Sequence, residues 1–257
     1  MKRRLVSALV LVFATLVVAG CATTPETGMS EAQRQKAART NTQLGTQYMQ
    51  QGDLNRSLEK LNKALRQDPD YAEAHMVKAI LHERLEQPDK ARDHYEQALD
   101  LSPENPTLLN NYGRFLCARD EYEQALEYLE RAGSNPLYER PALAWSNAGV
   151  CALNKGEDEQ AESYLLKALN ANARFPSALL RMARLRFDQE QYMSARGFYQ
   201  RYLSVAEQTP ESLWLGVQLE DQLGNQDAVA SYSLLLRQKF PDSEETRKLL
   251  EWRANEG

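Results

Sequence analysis

Small, large and polar positions recur along this chain with a period close to 34 residues. A small residue stands at Gly45, Ala79, Gly113, Gly149, Ala183 and Gly216, in steps of 34, 34, 36, 34 and 33. Twelve residues after each of them comes a second column, Ser57, Ala91, Ala125, Ala161, Ala195 and Ala228. Behind it lies a large apolar column, Leu61, Tyr95, Leu129, Leu165, Tyr199 and Tyr232, and three residues further on Ala64, Ala98, Ala132, Ala168, Tyr202 and Leu235. Helix breakers fall in step with these columns. Pro69 and Pro103 close units, because proline cannot continue a helix, and Pro136, Pro176, Pro210 and Pro241 do so with small offsets. Gly52-Asp53, Gly156-Glu157 and Gly224-Asn225 sit midway through their units, where a first helix must stop; Pro88 takes that place in the second unit. Ser30-Glu31-Ala32-Gln33 reads as a capping box, so the first helix starts near Ser30. After Pro241, Asp242-Ser243-Glu244-Glu245 with Leu249, Leu250 and Trp252 predicts a last helix over 242–254 that covers the open end of the stack.

Composition agrees with helix, since glycine is sparse while Ala, Leu, Glu, Gln and Arg abound. The four columns resemble the tetratricopeptide repeat, a helix-turn-helix unit of 34 residues, over about residues 38–241. The resemblance implies an all-α, right-handed superhelix of six repeats, at about 38–71, 72–105, 106–141, 142–175, 176–208 and 209–241, with the capping helix behind them. In such a stack the small columns let paired helices approach and the large column fills the space between neighbours. A single unit buries too little surface to stand alone.

The first twenty residues differ in kind from the rest. Lys2, Arg3 and Arg4 precede an apolar stretch of about 16 residues ending in small ones, the layout of a secretory signal peptide over 1–20. That stretch falls short of the roughly 20 residues a membrane-spanning helix needs. Val18-Ala19-Gly20-Cys21 resembles the lipobox of bacterial lipoproteins, which implies that Cys21 becomes the lipidated first residue of the mature chain. Several acyl chains on one residue make a lasting anchor, where one gives only marginal attachment. The residue after the cysteine is Ala22; the lipoprotein sorting pattern keeps a protein at the inner membrane when Asp stands there, so outer-membrane residence facing the periplasm is expected. Residues 21–29 then form a flexible leash, spanning at most about 25 to 30 Å.

Charge and chemistry narrow the function class. Losing the signal removes three positive charges and no negative ones, taking the formal net charge from -5 to -8. A nucleic-acid partner is disfavoured, because such binding needs a basic face that releases phosphate counterions. The histidines, His75, His82 and His94, all fall in the second repeat, two of them at positions where the repeat family packs aromatic residues. The segment starting at His82, His-Glu-Arg-Leu-Glu, lacks the second histidine of a zinc-binding helix, and neither a phosphate loop nor a nucleophile elbow occurs. No catalytic residue, metal ligand or cofactor is expected, and the soluble form is expected to be a monomer.

Two cysteines remain once Cys21 is lipidated. Cys117 and Cys151 lie in the first helices of repeats three and four. In an oxidising compartment they either form a disulfide between neighbouring helices or remain two buried thiols acting as small apolar residues. In the repeat family, partners dock on the concave face of the first helices. The positions that line it here are Asn110, Asn111 and Arg114 in repeat three, Ser146 and Asn147 in repeat four, and Arg181 and Arg184 in repeat five. They predict a polar, locally cationic strip suited to the backbone of an extended peptide and to carboxylates. The carboxylate clamp known in this repeat family uses Lys and Asn across the first three repeats, and this chain offers Thr42 and Thr46, then Met76 and Ile80, in the first two. Met76, Val77 and Ile80 present either an exposed apolar groove or a surface packed against the extended first helix.

Lipobox, leash and six repeats together resemble the pilotin lipoproteins of type IV pilus biogenesis, the PilF/PilW family. The stretches that carry this are the Gly20-Cys21 lipobox, LGTQYMQQGDLNRSLEKLNKAL, NNYGRFLCARDEYEQALEYLERA and ALLRMARLRFDQEQYMSARGFYQRYL. The resemblance implies a partner, the PilQ-like pilus secretin, whose outer-membrane localisation and multimerisation the protein would promote, so that pilus fibres and twitching motility depend on it. The second expectation is a lipoprotein adaptor for other envelope machinery, a cell-wall hydrolase or outer-membrane assembly.

Overall fold

The computed structural model describes residues 28–256, so the signal segment, Cys21 and most of the leash lie outside the described residues. Within that range thirteen helices follow one another without a strand. Six pairs, each a first (A) and a second (B) helix, are α1 (Glu31–Gln50) with α2 (Leu54–Gln67), α3 (Ala72–Arg84) with α4 (Pro88–Leu101) and α5 (Pro106–Cys117) with α6 (Tyr122–Ser134). They continue as α7 (Pro141–Lys155) with α8 (Asp158–Ala171), α9 (Pro176–Asp188) with α10 (Tyr192–Leu203) and α11 (Pro210–Gln222) with α12 (Gln226–Lys239). The chain ends with α13 (Glu244–Glu256). The fold is the all-α tetratricopeptide superhelix. Helix α1 begins at Ser30, whose hydroxyl accepts from the Gln33 amide while the Gln33 side chain accepts from the Ser30 amide, a reciprocal capping box.

The small columns do the wedging expected of them. Ala79, Ala183, Ser57, Ala91, Ala125, Ala161 and Ala195 are fully buried, as are the large residues Leu61, Tyr95, Leu129, Leu165 and Tyr199 behind them. At Gly113 the fit leaves no room for a side chain: a Cβ there would lie 2.7 Å from Leu129 Cγ and 2.9 Å from the Ala125 carbonyl oxygen. Such close approach of backbones lets each unit bury its apolar face against its own partner and the next unit.

The sixth unit departs from the column pattern. Ala228 and Leu235, expected inside, are only half-buried, and the buried positions of α12 are Val229, Ser233 and Leu236. The reason is the capping helix. Val229 and Leu236 turn toward α13 and form a core with Leu213, Val217 and Leu249, edged by Trp214 and Trp252. Lacking a seventh pair to pack on, α12 rotates its apolar stripe toward the cap.

The turns inside the pairs show a regularity that residue type hides. Each contains one residue with positive φ: Gly52 (80°), Glu86 (55°), Asp120 (62°), Gly156 (86°), Glu190 (61°) and Gly224 (73°). Half of these are not glycine, and a left-handed conformation there carries a steric cost of roughly 1–2 kcal/mol. Between units the links are four residues long, except for the six-residue links 135–140 and 204–209. The first of these absorbs the 36-residue step between Gly113 and Gly149.

Candidate functional site

The A helices carry a continuous line of polar contacts from one unit to the next, and this line is the candidate binding face. Met76 on α3 touches Asn111 on α5, the amide nitrogen lying 3.6 Å from the sulfur. Asn110 on α5 accepts at 2.9 Å from the Asn147 amide on α7, and Ser146 on α7 meets Ser177 on α9 at 3.0 Å between hydroxyls. Asn110 and Ser146 are buried in this line, while Asn111 and Asn147 remain half-exposed and present free amide capacity. Thr42, in the first unit, is buried and its hydroxyl donates to Ala38 of its own helix, leaving the first repeat with little to offer a polar ligand.

The arginines of the strip are in place but not free, which corrects the expectation of a locally cationic face. Arg114 donates to both oxygens of Glu83 on α3 at 2.9 Å, and Glu83 also accepts from the buried Tyr95 hydroxyl. Burial and the Glu83 carboxylate together push the Tyr95 hydroxyl far above its usual range. Arg181 pairs with Glu211 on α11 at 2.9 Å, and Arg184 reaches Gln218 at 3.3 Å and Asp188 at 3.7 Å. The face is thus polar and locally balanced. The exposed Arg181–Glu211 pair is worth at most about 1 kcal/mol, so an incoming carboxylate can compete for that guanidinium, whereas mostly buried Glu83 grips Arg114 through both oxygens.

These partners share one signal that position-by-position reading misses. Glu83 precedes Arg114, Ser146 precedes Ser177, and Arg181 precedes Glu211 by 31, 31 and 30 residues, one helical turn short of a repeat. Pairing each candidate with residues one helical turn short of a full period away would have found them.

The apolar alternative at Met76, Val77 and Ile80 resolves in favour of packing. Val77 is buried in a core with Met49 of α1, Leu61 and Leu81, and Met76 and Ile80 lie half-buried at its edge. Cys117 on α5 and Cys151 on α7 stand with Cα atoms 5.7 Å apart and are joined as a disulfide. It ties the A helices of repeats three and four together, two helical turns along α5 from Asn110 and one turn along α7 from Asn147.

The three histidines cluster between α3 and α4. His75 and His94 bring their Nδ1 atoms within 3.1 Å, His82 stacks on His94 with ring centroids 5.5 Å apart, and His82 Nδ1 meets Gln87 at 2.9 Å. Burial, together with Lys78 and the other two rings, holds His94 down to about 4. Among the described residues no group of three or more His, Cys, Asp or Glu is arranged to hold a metal ion, and no helix is long and apolar enough to cross a membrane.

The folding pattern first defines a class. Tetratricopeptide repeat models match residues 42–106, 84–135 and 142–175. The particular family follows from longer comparisons. The chain is 33% identical over 236 residues to the type IV pilus assembly protein PilF of Pseudomonas aeruginosa, covering 91% of this chain and 94% of that one. A solved structure of Pseudomonas aeruginosa PilF superposes with a TM-score of 0.77 over 85% of this chain and 98% of that one, at 33% identity. A crystal structure of PilW, described as a widely conserved type IV pilus biogenesis factor, superposes with a TM-score of 0.76 at 32% identity, over 83% of this chain and 98% of that one. The chain belongs to the PilF family of tetratricopeptide-repeat proteins.

Proposed function

We propose that this protein is an outer-membrane lipoprotein pilotin. Lipid on Cys21 holds it to the membrane, and the A-helix face binds a segment of the type IV pilus secretin, promoting the secretin's localisation and assembly into multimers for pilus biogenesis and twitching motility. The observation that carries this reading is the 33% identity to a pilus assembly protein over 91% of the chain. The polar A-helix line supports it, because buried Asn110 fixes the orientation of Asn147 while half-exposed amides remain free for a peptide backbone. No covalent chemistry is required. Tethering raises the local concentration of bound secretin subunits at the membrane, which favours ring assembly without any new contact. The test is Cys21→Ser in cells. The protein should leave the membrane fraction and secretin multimers should fall; multimers persisting undiminished in the outer membrane would defeat the proposal.

A further inference from the structure

At the C-terminal end of the A-helix face, α9, α11 and α13 enclose a small cavity of about 110 Å³ lined by Phe187, Trp214, Gln218, Asp221, Gln222 and Trp252. Trp214 and Trp252 meet edge to face, with centroids 6.2 Å apart and planes at 72°. Both are half-buried, as are Phe187 and Asp221. Liquid water takes about 30 Å³ per molecule, so this space suits a single polar head group rather than a drug-sized ligand.

Its lining combines three aromatic rings with one carboxylate. Asp221 accepts a 3.3 Å contact from Gln226, and among the described residues no lysine or arginine pairs with it. Arg184 pairs with Asp188, Arg196 with Glu220, and Lys248 with Glu244. Ring faces attract cations, and a carboxylate at the rim adds a charge-assisted hydrogen bond. The Phe187 ring and Gln218 already hold the Arg184 guanidinium, 5.6 Å from the ring centroid and 3.3 Å from the amide oxygen, which leaves the two indoles and Asp221 for an incoming cation.

We propose that this cavity is a binding site for one arginine side chain of a protein partner, the guanidinium seated against the cavity walls formed by Trp214 and Trp252 and hydrogen-bonded to Asp221. A planar guanidinium stacks on an indole and donates to a carboxylate at once, which a compact ammonium does less well. The site is separate from the Asn110–Asn147 line, and it stands whether or not the partner is a pilus secretin.

The test uses the mature chain and N-acetylarginine N-methylamide, with the isosteric neutral citrulline compound and the lysine compound as comparators. Amide spectra of the protein resolve its three indole N–H groups, and Trp145, on a different helix pair, serves as the internal reference. The arginine probe should shift the Trp214 and Trp252 signals saturably and leave Trp145 unmoved, and the citrulline compound should bind at least tenfold more weakly. Asp221→Asn should lower the arginine affinity about tenfold, while Trp145→Phe should leave it unchanged. Equal response to citrulline overturns the proposal on the unaltered chain, whatever the variants do. Shifts at all three tryptophans, or tighter binding of the lysine compound, overturn it equally.

Discussion

Replacing Gly113 by alanine tests the packing argument at its tightest point. The added Cβ would stand 2.7 Å from Leu129 Cγ and 2.9 Å from the Ala125 carbonyl oxygen, roughly 0.5–1 Å inside ordinary contact. Leu129 could change rotamer, but the Ala125 oxygen belongs to the backbone of α6, so α5 and α6 must separate. Overpacking of this kind costs typically about 1–3 kcal/mol, against a helix-propensity gain of at most about 1 kcal/mol for Gly→Ala. A net loss of about 1–2 kcal/mol is expected. Gly197, exposed in α10 with nothing within 4 Å of a built Cβ, gives the control. Gly197→Ala gains propensity without a clash and should stabilise by about 0.5–1 kcal/mol. Urea unfolding followed by circular dichroism should therefore move the two midpoints in opposite directions. If Gly113→Ala were as stable as Gly197→Ala, the small column would not be what lets the helices of a pair approach, and the account of the stack would fail.

Three further outcomes are expected. Gly156→Ala, at φ 86° with open space around it, should cost about 1 kcal/mol in the same assay, showing that the turn needs backbone freedom rather than room. Reducing the Cys117–Cys151 bond, which closes a 34-residue separation, should lower stability by about 2–4 kcal/mol, and Cys117→Ser with Cys151→Ser should show the same loss without added reductant. His94 titrates near 4 when folded against 6.5 otherwise, so between those values the unfolded chain takes up a proton that the folded one refuses. Stability should therefore be complete above pH 6.5 and fall toward pH 4, by about 1–2 kcal/mol after allowance for its partial exposure; His94→Gln should flatten that slope in melting curves taken across the range.

Much of the architecture was legible in the sequence because repetition makes it redundant. Six copies of one spacing fixed the helix pairs, and the capping box at Ser30 located the first helix start. What escaped depends on neighbours that no single repeat contains. The stripe of α12 turns toward α13 because the stack ends there, so Val229 and Leu236 are buried where Ala228 and Leu235 were expected. Glu86, Asp120 and Glu190 share the left-handed turn conformation of the glycines, yet their side chains give no hint of it. The candidate site was half legible. Residue type and position placed Asn110, Asn147, Arg114 and Arg181 on the A-helix face, but the neutralising Glu83 and Glu211 come from adjacent repeats, so the charge of the strip was misjudged.

The central functional claim is that the A-helix face holds the secretin while the lipid holds the protein. Photo-cross-linking in living cells tests it most directly, with a light-activated residue replacing half-exposed Asn147 in one strain and Leu137, 85% exposed on an inter-repeat link, in another. The account predicts a secretin adduct from position 147 and none from position 137. Adducts of equal yield from both, or from position 137 alone, would contradict it.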